Sequence, residues 1–121
     1  MNINKFTTKS QEAIQLSQQI AQGLGQQQIE NEHLFKALLE VDENVTPFLL
    51  KKLNVNVSLF KQIVESTLQS FPKVSGGDIM LSRTANTTLN EAGILAGKMN
   101  DEFVSVEHLV LAIFGSKSKI A

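Results

Sequence analysis

A chain of 121 residues with 42% apolar and 19% charged residues has the length and composition of one folded domain with a single core, not of a disordered segment. Its 11 basic and 12 acidic side chains leave a net charge of −1 with no clustered cationic stripe, which argues against a nucleic-acid partner. The lack of cysteine excludes disulfides and thiolate ligands; the polar start MNINKFTTKSQEAIQ and the absence of any apolar run near membrane-spanning length lead us to expect a soluble cytoplasmic module with no membrane partner.

In chain order, Phe6-Thr7-Thr8 reads as the head of a first helix, with Gln11 completing a capping box from Thr8. That helix runs to about Gln22 and stops at Gly23-Leu24-Gly25, where glycine suits a left-handed cap. The run Gln26-Gln27-Gln28 has neither period nor charge and is expected to be an exposed turn. A second helix covers about 31–41. A third opens at Thr46-Pro47, a capping residue followed by a proline whose missing N–H costs nothing there, and ends near Leu53. Phe60, Ile63, Val64, Thr67, Leu68 and Phe71 fall at helical spacing and place a fourth helix at about 57–70. The segment FPKVSGGDIM, with a proline and a Gly-Gly pair, is a linker. Ser82 is placed to cap a fifth helix through Met99, and Ser105 a sixth through about Phe114. No segment alternates with a period of two, so the fold class is all-α.

The string Glu32-His33-Leu34 recurs as Glu107-His108-Leu109, an offset of 108 − 33 = 75. The same offset aligns Phe6 with Leu81, Thr7 with Ser82, Ile14 with Leu89, Ala21 with Ala96, Ile29 with Val104 and Leu38 with Ile113. A stripe at positions 10, 14, 17, 21 and 24 becomes 85, 89, 92, 96 and 99, apolar or small at every step. A gapless match of this kind marks a duplicated helical unit. The second copy ends soon after its second helix, so it is expected to be truncated: repeat one about 6–71, a linker about 72–80 and a partial repeat two about 81–121.

The second and sixth helices are apolar nearly all round, hence central and buried, and His33 and His108 stand at their heads. Neither is followed by an HExxH or His-x₃-His pattern, so both read as structural residues and no metal is expected. There is no G-x-S-x-G elbow and no GxxxxGK[ST] phosphate cradle, and we expect neither catalysis nor a bound cofactor. Glu32 and Glu107 are more open. Each lies 25 residues after a hydroxyl able to cap a helix, 32 − 7 for Thr7 and 107 − 82 for Ser82. If such heads were adjacent, backbone N–H groups for an anion would stand beside a carboxylate for a cation; plain capping and dipole compensation explain the same residues.

The double Glu-His-Leu, the opening Phe6-Thr7 and the linker PKVSGGD leading into LSR resemble the N-terminal domain of the Clp family of ATP-dependent unfoldases, nearest to the ClpB-type protein disaggregases. The resemblance covers the whole chain. It implies a pseudo-twofold pair of four-helix repeats tethered ahead of two ATPase rings and a coiled-coil middle domain. ATP and magnesium would belong to those modules, in a parent that is a homohexamer working with a DnaK-type chaperone system. The implied ligands are unfolded or aggregated polypeptides, contacted by Thr7, Asp101 and Glu107, with Leu89 lining a shallow apolar groove. The related ClpC type implies an alternative, docking of adaptors or phosphoarginine at paired sites, here Thr7 with Glu32 and Ser82 with Glu107.

Overall fold

Six helices and two very short strands make up the computed structural model, which describes residues 3–74 and 77–115. After a single 3₁₀ turn at Ile3–Lys5 come α1 (Thr8–Gly23), β1 (Gln28–Ile29), α2 (Asn31–Val41), α3 (Val45–Lys52) and α4 (Val57–Ser70). Beyond the linker lie β2 (Met80–Leu81), α5 (Arg83–Lys98) and α6 (Val106–Phe114). The architecture is the expected all-α one. The last six residues of the expected second repeat, 116–121, and linker positions Ser75 and Gly76 lie outside the described residues.

The two copies start and stop their first helix by the same chemistry. Thr7 Oγ1 accepts the Ser10 N–H at 3.2 Å and Gln11 Nε2 reaches back to the Phe6 carbonyl at 2.9 Å, so the cap is Thr7, not Thr8. Ser82 does the same for the Ala85 N–H at 3.0 Å. At the other end, the Gly25 and Gln26 N–H groups close on the Gln22 and Ala21 carbonyls, at 3.1 and 2.9 Å, with Gly25 left-handed at φ 69°. Asn100 takes that place in the second copy at φ 58°, with Asp101 N–H on Ala96 O at 2.8 Å. Both ends are Schellman caps, glycine in one and asparagine in the other, the two residues that tolerate this conformation best. Ser82→Ala is expected to lower stability by about 1 kcal/mol in urea unfolding, because a buried cap leaves its N–H unpaired.

Three local expectations are corrected. Residues 26–28 are not a simple exposed turn: Gln27 and Gln28 are exposed, but Gln26 is buried and Gln28–Ile29 is β1, paired in parallel with β2 through Gln28↔Met80 and Ile29↔Leu81. The helix α3 begins at Val45 rather than at a Thr46 cap. Asp42 takes the capping role, its carboxylate accepting the N–H groups of Asn44 (3.1 Å), Val45 (3.2 Å) and Thr46 (2.7 Å) and the Thr46 hydroxyl (2.9 Å). Thr7, not Thr8, caps α1 because residues Phe6 and Thr7 are held extended by pairing with a distant segment. Phe6 forms a parallel bridge with Val104, and the Thr7 N–H donates to the Val104 carbonyl at 3.0 Å.

That bridge reveals the symmetry. Adding 75 to Phe6 and Ile29 gives Leu81 and Val104, so Phe6↔Val104 and Ile29↔Leu81 are the same contact seen from the two copies. The head of each first helix pairs with the head of the other copy's second helix. Between them α2 and α6 fill the centre: Phe35, Leu38, Leu109 and Ile113 are fully buried. Phe35 meets Phe60 and Phe114 edge-on, with ring centroids 5.1 and 5.9 Å apart, which ties α4 and α6 to α2. The small buried residues Ser10, Ala13, Ser17 and Ala21 of α1 let it lie close against α2.

Candidate functional site

The heads of α1, α3 and α6 meet at the surface. A hollow of about 290 Å³ lies between them, lined by Thr7 and Lys9, by Asp42 and Asn44, and by Ser105 and Glu107. Helix heads present unpaired N–H groups and partial positive charge, and Lys9 adds a full cation; Glu107, at the second position of α6, opposes them with a carboxylate. Burial pushes the Asp42 carboxyl up, but the Thr46 N–H, the Thr46 hydroxyl and the Asn44 and Val45 N–H groups outweigh it and hold the group below the usual carboxylate range. Asp42 is therefore a charged wall already occupied by its own helix. Glu107 also borders a second hollow of about 440 Å³ with Val45, Phe48 and Leu49. Phe48 is 57% exposed there, with Lys52 Nζ 5.3 Å above its ring. A polar cleft thus opens directly onto an aromatic patch.

Thr7 and Glu107 come together in this cleft, and Glu32 is not among the residues that line it. The crosswise contact brings Thr7 to the head of α6 and Ser82 to the head of α2, where the Ser82 N–H donates to the Ile29 carbonyl at 3.0 Å. Ser82 and Glu32 are buried, at 5% and 2% exposure, so neither is presented at the surface as half of a paired site. Leu89 is a correction as well. It points inward from α5 at 2% exposure and belongs to the core, because it lies on the same helix face as Ala85, Ala92 and Ala96. The apolar groove on this helix runs instead along its junction with α6, about 580 Å³ in volume, with Leu95, Leu111 and Ala112 inside and Arg83, Thr84 and Glu91 at its edges. A third hollow of about 590 Å³ between α2 and α4 has a charged rim that includes Lys36 and Glu65, 2.6 Å apart.

Asp101 stands apart from the cleft and is explained by the histidines. The His33 ring Nδ1 accepts the Glu30 N–H and the His108 Nδ1 accepts the Ser105 N–H, each at 2.9 Å, a capping box in which histidine replaces the usual glutamate. With Nδ1 accepting, the proton of the neutral ring is on Nε2. It is aimed at Gln26 Oε1 (2.5 Å) in the first copy and at Asp101 Oδ2 (2.9 Å) in the second. Gln26 and Asp101 are themselves 75 residues apart, so amide and carboxylate are equivalent partners. Burial first, then Lys36, lowers the pKa of His33 to about 4. Ser105 Oγ lies 3.0 Å from His108 Nδ1, which gives serine, histidine and aspartate in the order of a hydrolase triad. That Nδ1 already takes a main-chain N–H and the ring is 2% exposed, so the arrangement caps a helix.

Sequence reasoning missed Lys9, Asp42, Phe48 and Gln26. Asp42 had a signal, an acidic residue two before Asn44 and four before Thr46. Gln26 had one too, its offset from Asp101. Among the described residues no three His, Asp or Glu side chains converge as metal ligands, and no helix is long and apolar enough to cross a membrane.

Residues 5–121 match the Clp repeat (R) N-terminal domain. The chain belongs to this family. Curated relatives of the Clp repeat domain include the chaperone protein ClpB of Bacteroides thetaiotaomicron, 44% identical over 121 residues, and that of Porphyromonas gingivalis, 41% identical over 117. The matches cover 100% and 97% of this chain but 14% of either relative. The fold agrees with the Hsp104 N-terminal domain from Candida albicans, with a TM-score of 0.80 and 22% identity over 90% of this chain and 73% of that one. It agrees also with the N-terminal domain of the ClpV1 ATPase from E. coli, with a TM-score of 0.84 and 19% identity over 93% of this chain and 69% of that one.

Proposed function

We propose that this Clp repeat domain is a non-catalytic receptor for exposed, extended segments of unfolded or aggregated polypeptide, which it passes to the ATP-driven modules of a ClpB-type chaperone. The observation that carries this reading is the Thr7–Glu107 cleft opening onto the exposed Val45 and Phe48, since an unfolded chain offers charges and apolar side chains within a few residues of one another. The naming of its relatives as chaperones is in keeping with it. Within this reading the domain spans two repeats, about 6–71 and 81–121, and needs no cofactor of its own. ATP and magnesium serve the motor modules, and the parent is a cytoplasmic homohexamer cooperating with a DnaK-type system. Affinity is expected to be weak, because shallow hollows bury little area and the client must be released.

A second reading, docking of an adaptor or of phosphoarginine, draws support from one feature: Lys9 and the heads of α1 and α6 beside Glu107 offer both halves of a site for a ligand carrying an anion and a cation. The burial of Glu32 and Ser82 weighs against a matching second site. Titration of the labelled domain with an unfolded polypeptide tests the first reading. Glu107→Ala is expected to weaken binding about threefold to tenfold while changing stability by roughly 0.5 kcal/mol at most. Tight binding of free phosphoarginine, lost in the same variant, would instead favour the second.

A further inference from the structure

A single side-chain bond ties the turn that ends α5 to the head of α6. Asn100 is left-handed at φ 58° and the Asp101 N–H closes on the Ala96 carbonyl at 2.8 Å, which fixes the main chain of Asp101 to the end of α5. From there its Oδ2 accepts the His108 Nε2–H at 2.9 Å. The His108 ring is 2% exposed, and its Nδ1 accepts the Ser105 N–H at 2.9 Å, one half of the capping box that opens α6. Glu107 lies in the chain between those two pinned residues. Ser105 and Glu107 line the cleft, whereas Asp101 lines neither the cleft nor the neighbouring hollow at Phe48.

The first copy shows what this bond requires. Gln26 holds the equivalent place and uses both halves of its amide: Oε1 faces His33 Nε2 at 2.5 Å, and its Nε2 donates to the Leu68 carbonyl of α4 at 2.7 Å. An amide suits that place because it accepts and donates at once. Asp101 has only the ring to serve among the described residues, and for that an acceptor is enough. The two copies therefore share an acceptor for the ring N–H and not a charge. We infer that Asp101 is a positioning residue. It orients His108, the ring holds the Ser105 main chain, and the Glu107 carboxylate carried between them is kept in place at the cleft, while Asp101 itself does not touch the bound segment. The inference rests on the polypeptide-binding reading.

The test is titration of the ¹⁵N-labelled 121-residue chain with reduced, carboxymethylated α-lactalbumin, followed at Thr7 and Glu107 at a temperature where every variant is folded. Asp101→Ala is expected to raise Kd about fivefold and to shift the ring ¹⁵N resonances of His108. Asp101→Asn, which keeps an acceptor oxygen and removes the charge, is expected to bind within about twofold of the parent with the His108 ring signals unmoved. In a Glu107→Ala background, Asp101→Ala should add less than about twofold, because the group it positions is gone. Parent-like affinity in Asp101→Ala overturns the inference and leaves the polypeptide reading intact. A loss in Asp101→Asn equal to that in Asp101→Ala overturns it too, since the charge would then meet the client directly. So does a full fivefold loss on top of Glu107→Ala. No response of the cleft in the parent overturns both.

Discussion

Asp42→Ala is expected to destabilise the domain by about 2–4 kcal/mol, with α3 loosening first. The carboxylate is 2% exposed and gathers three main-chain N–H groups and the Thr46 hydroxyl. Truncation leaves those donors at a helix head without acceptors, and the penalty for buried unpaired donors exceeds the loss of an ordinary cap. Asp42→Asn keeps one acceptor oxygen and should lose roughly half as much. Urea unfolding measures both, and hydrogen exchange at Val45 and Thr46 locates the loosening. The same residue walls the Thr7–Glu107 cleft, so polypeptide binding should fall in parallel. Equal stability of parent and Asp42→Ala would mean that packing of side chains such as Leu50 and Leu49 is enough to hold α3.

Acid is expected to weaken the fold through His33, by on the order of 2–3 kcal/mol between pH 7 and pH 4. Burial and Lys36 set the folded pKa at about 4, against 6.5 for the free side chain. Between those values the unfolded chain binds a proton that the folded one refuses, so stability falls as pH drops through 6.5 and levels off below about 4. The local reason is geometric. Protonated Nδ1 would turn a donor against the Glu30 N–H, and the group facing Nε2 is the neutral Gln26 amide rather than a carboxylate. Asp42 acts in the same sense lower down: its carboxyl is held below 3.8, so its contribution is present above that pH and fades beneath it. In His33→Gln the amide can still close the capping box but does not titrate. Unfolding free energies from pH 7.5 to 4.5 should therefore be flatter in His33→Gln than in the parent. An unchanged slope would assign the acid response to other groups.

The two histidines show how far the chain could be read without its fold. That they are structural followed from their place at the heads of apolar helices and from the lack of companion ligands. That one faces an amide and the other a half-exposed carboxylate required the Schellman turns to bring positions 26 and 101 back onto the rings. The site residues divide in the same way. The sequence places Thr7 and Glu107 at helix heads, and the structure finds them there, but which head meets which is not legible in it, and Leu89 does not join the lining of the α5–α6 groove.

Helix positions, the 75-residue repeat, the capping hydroxyls Ser82 and Ser105 and the central place of α2 and α6 were determined by the sequence itself. Each depends on side chains within about one turn of one another, or on a pattern that repeats along the chain. Tertiary structure alone decided the crosswise pairing of heads, the burial of Glu32 and Ser82 and the inward turn of Leu89. These hang on contacts such as Phe6 with Val104, 98 residues apart, and on which face of a helix the other copy covers. Local propensity carries no record of either, because the free energy that selects them is released only when both copies have folded onto one core.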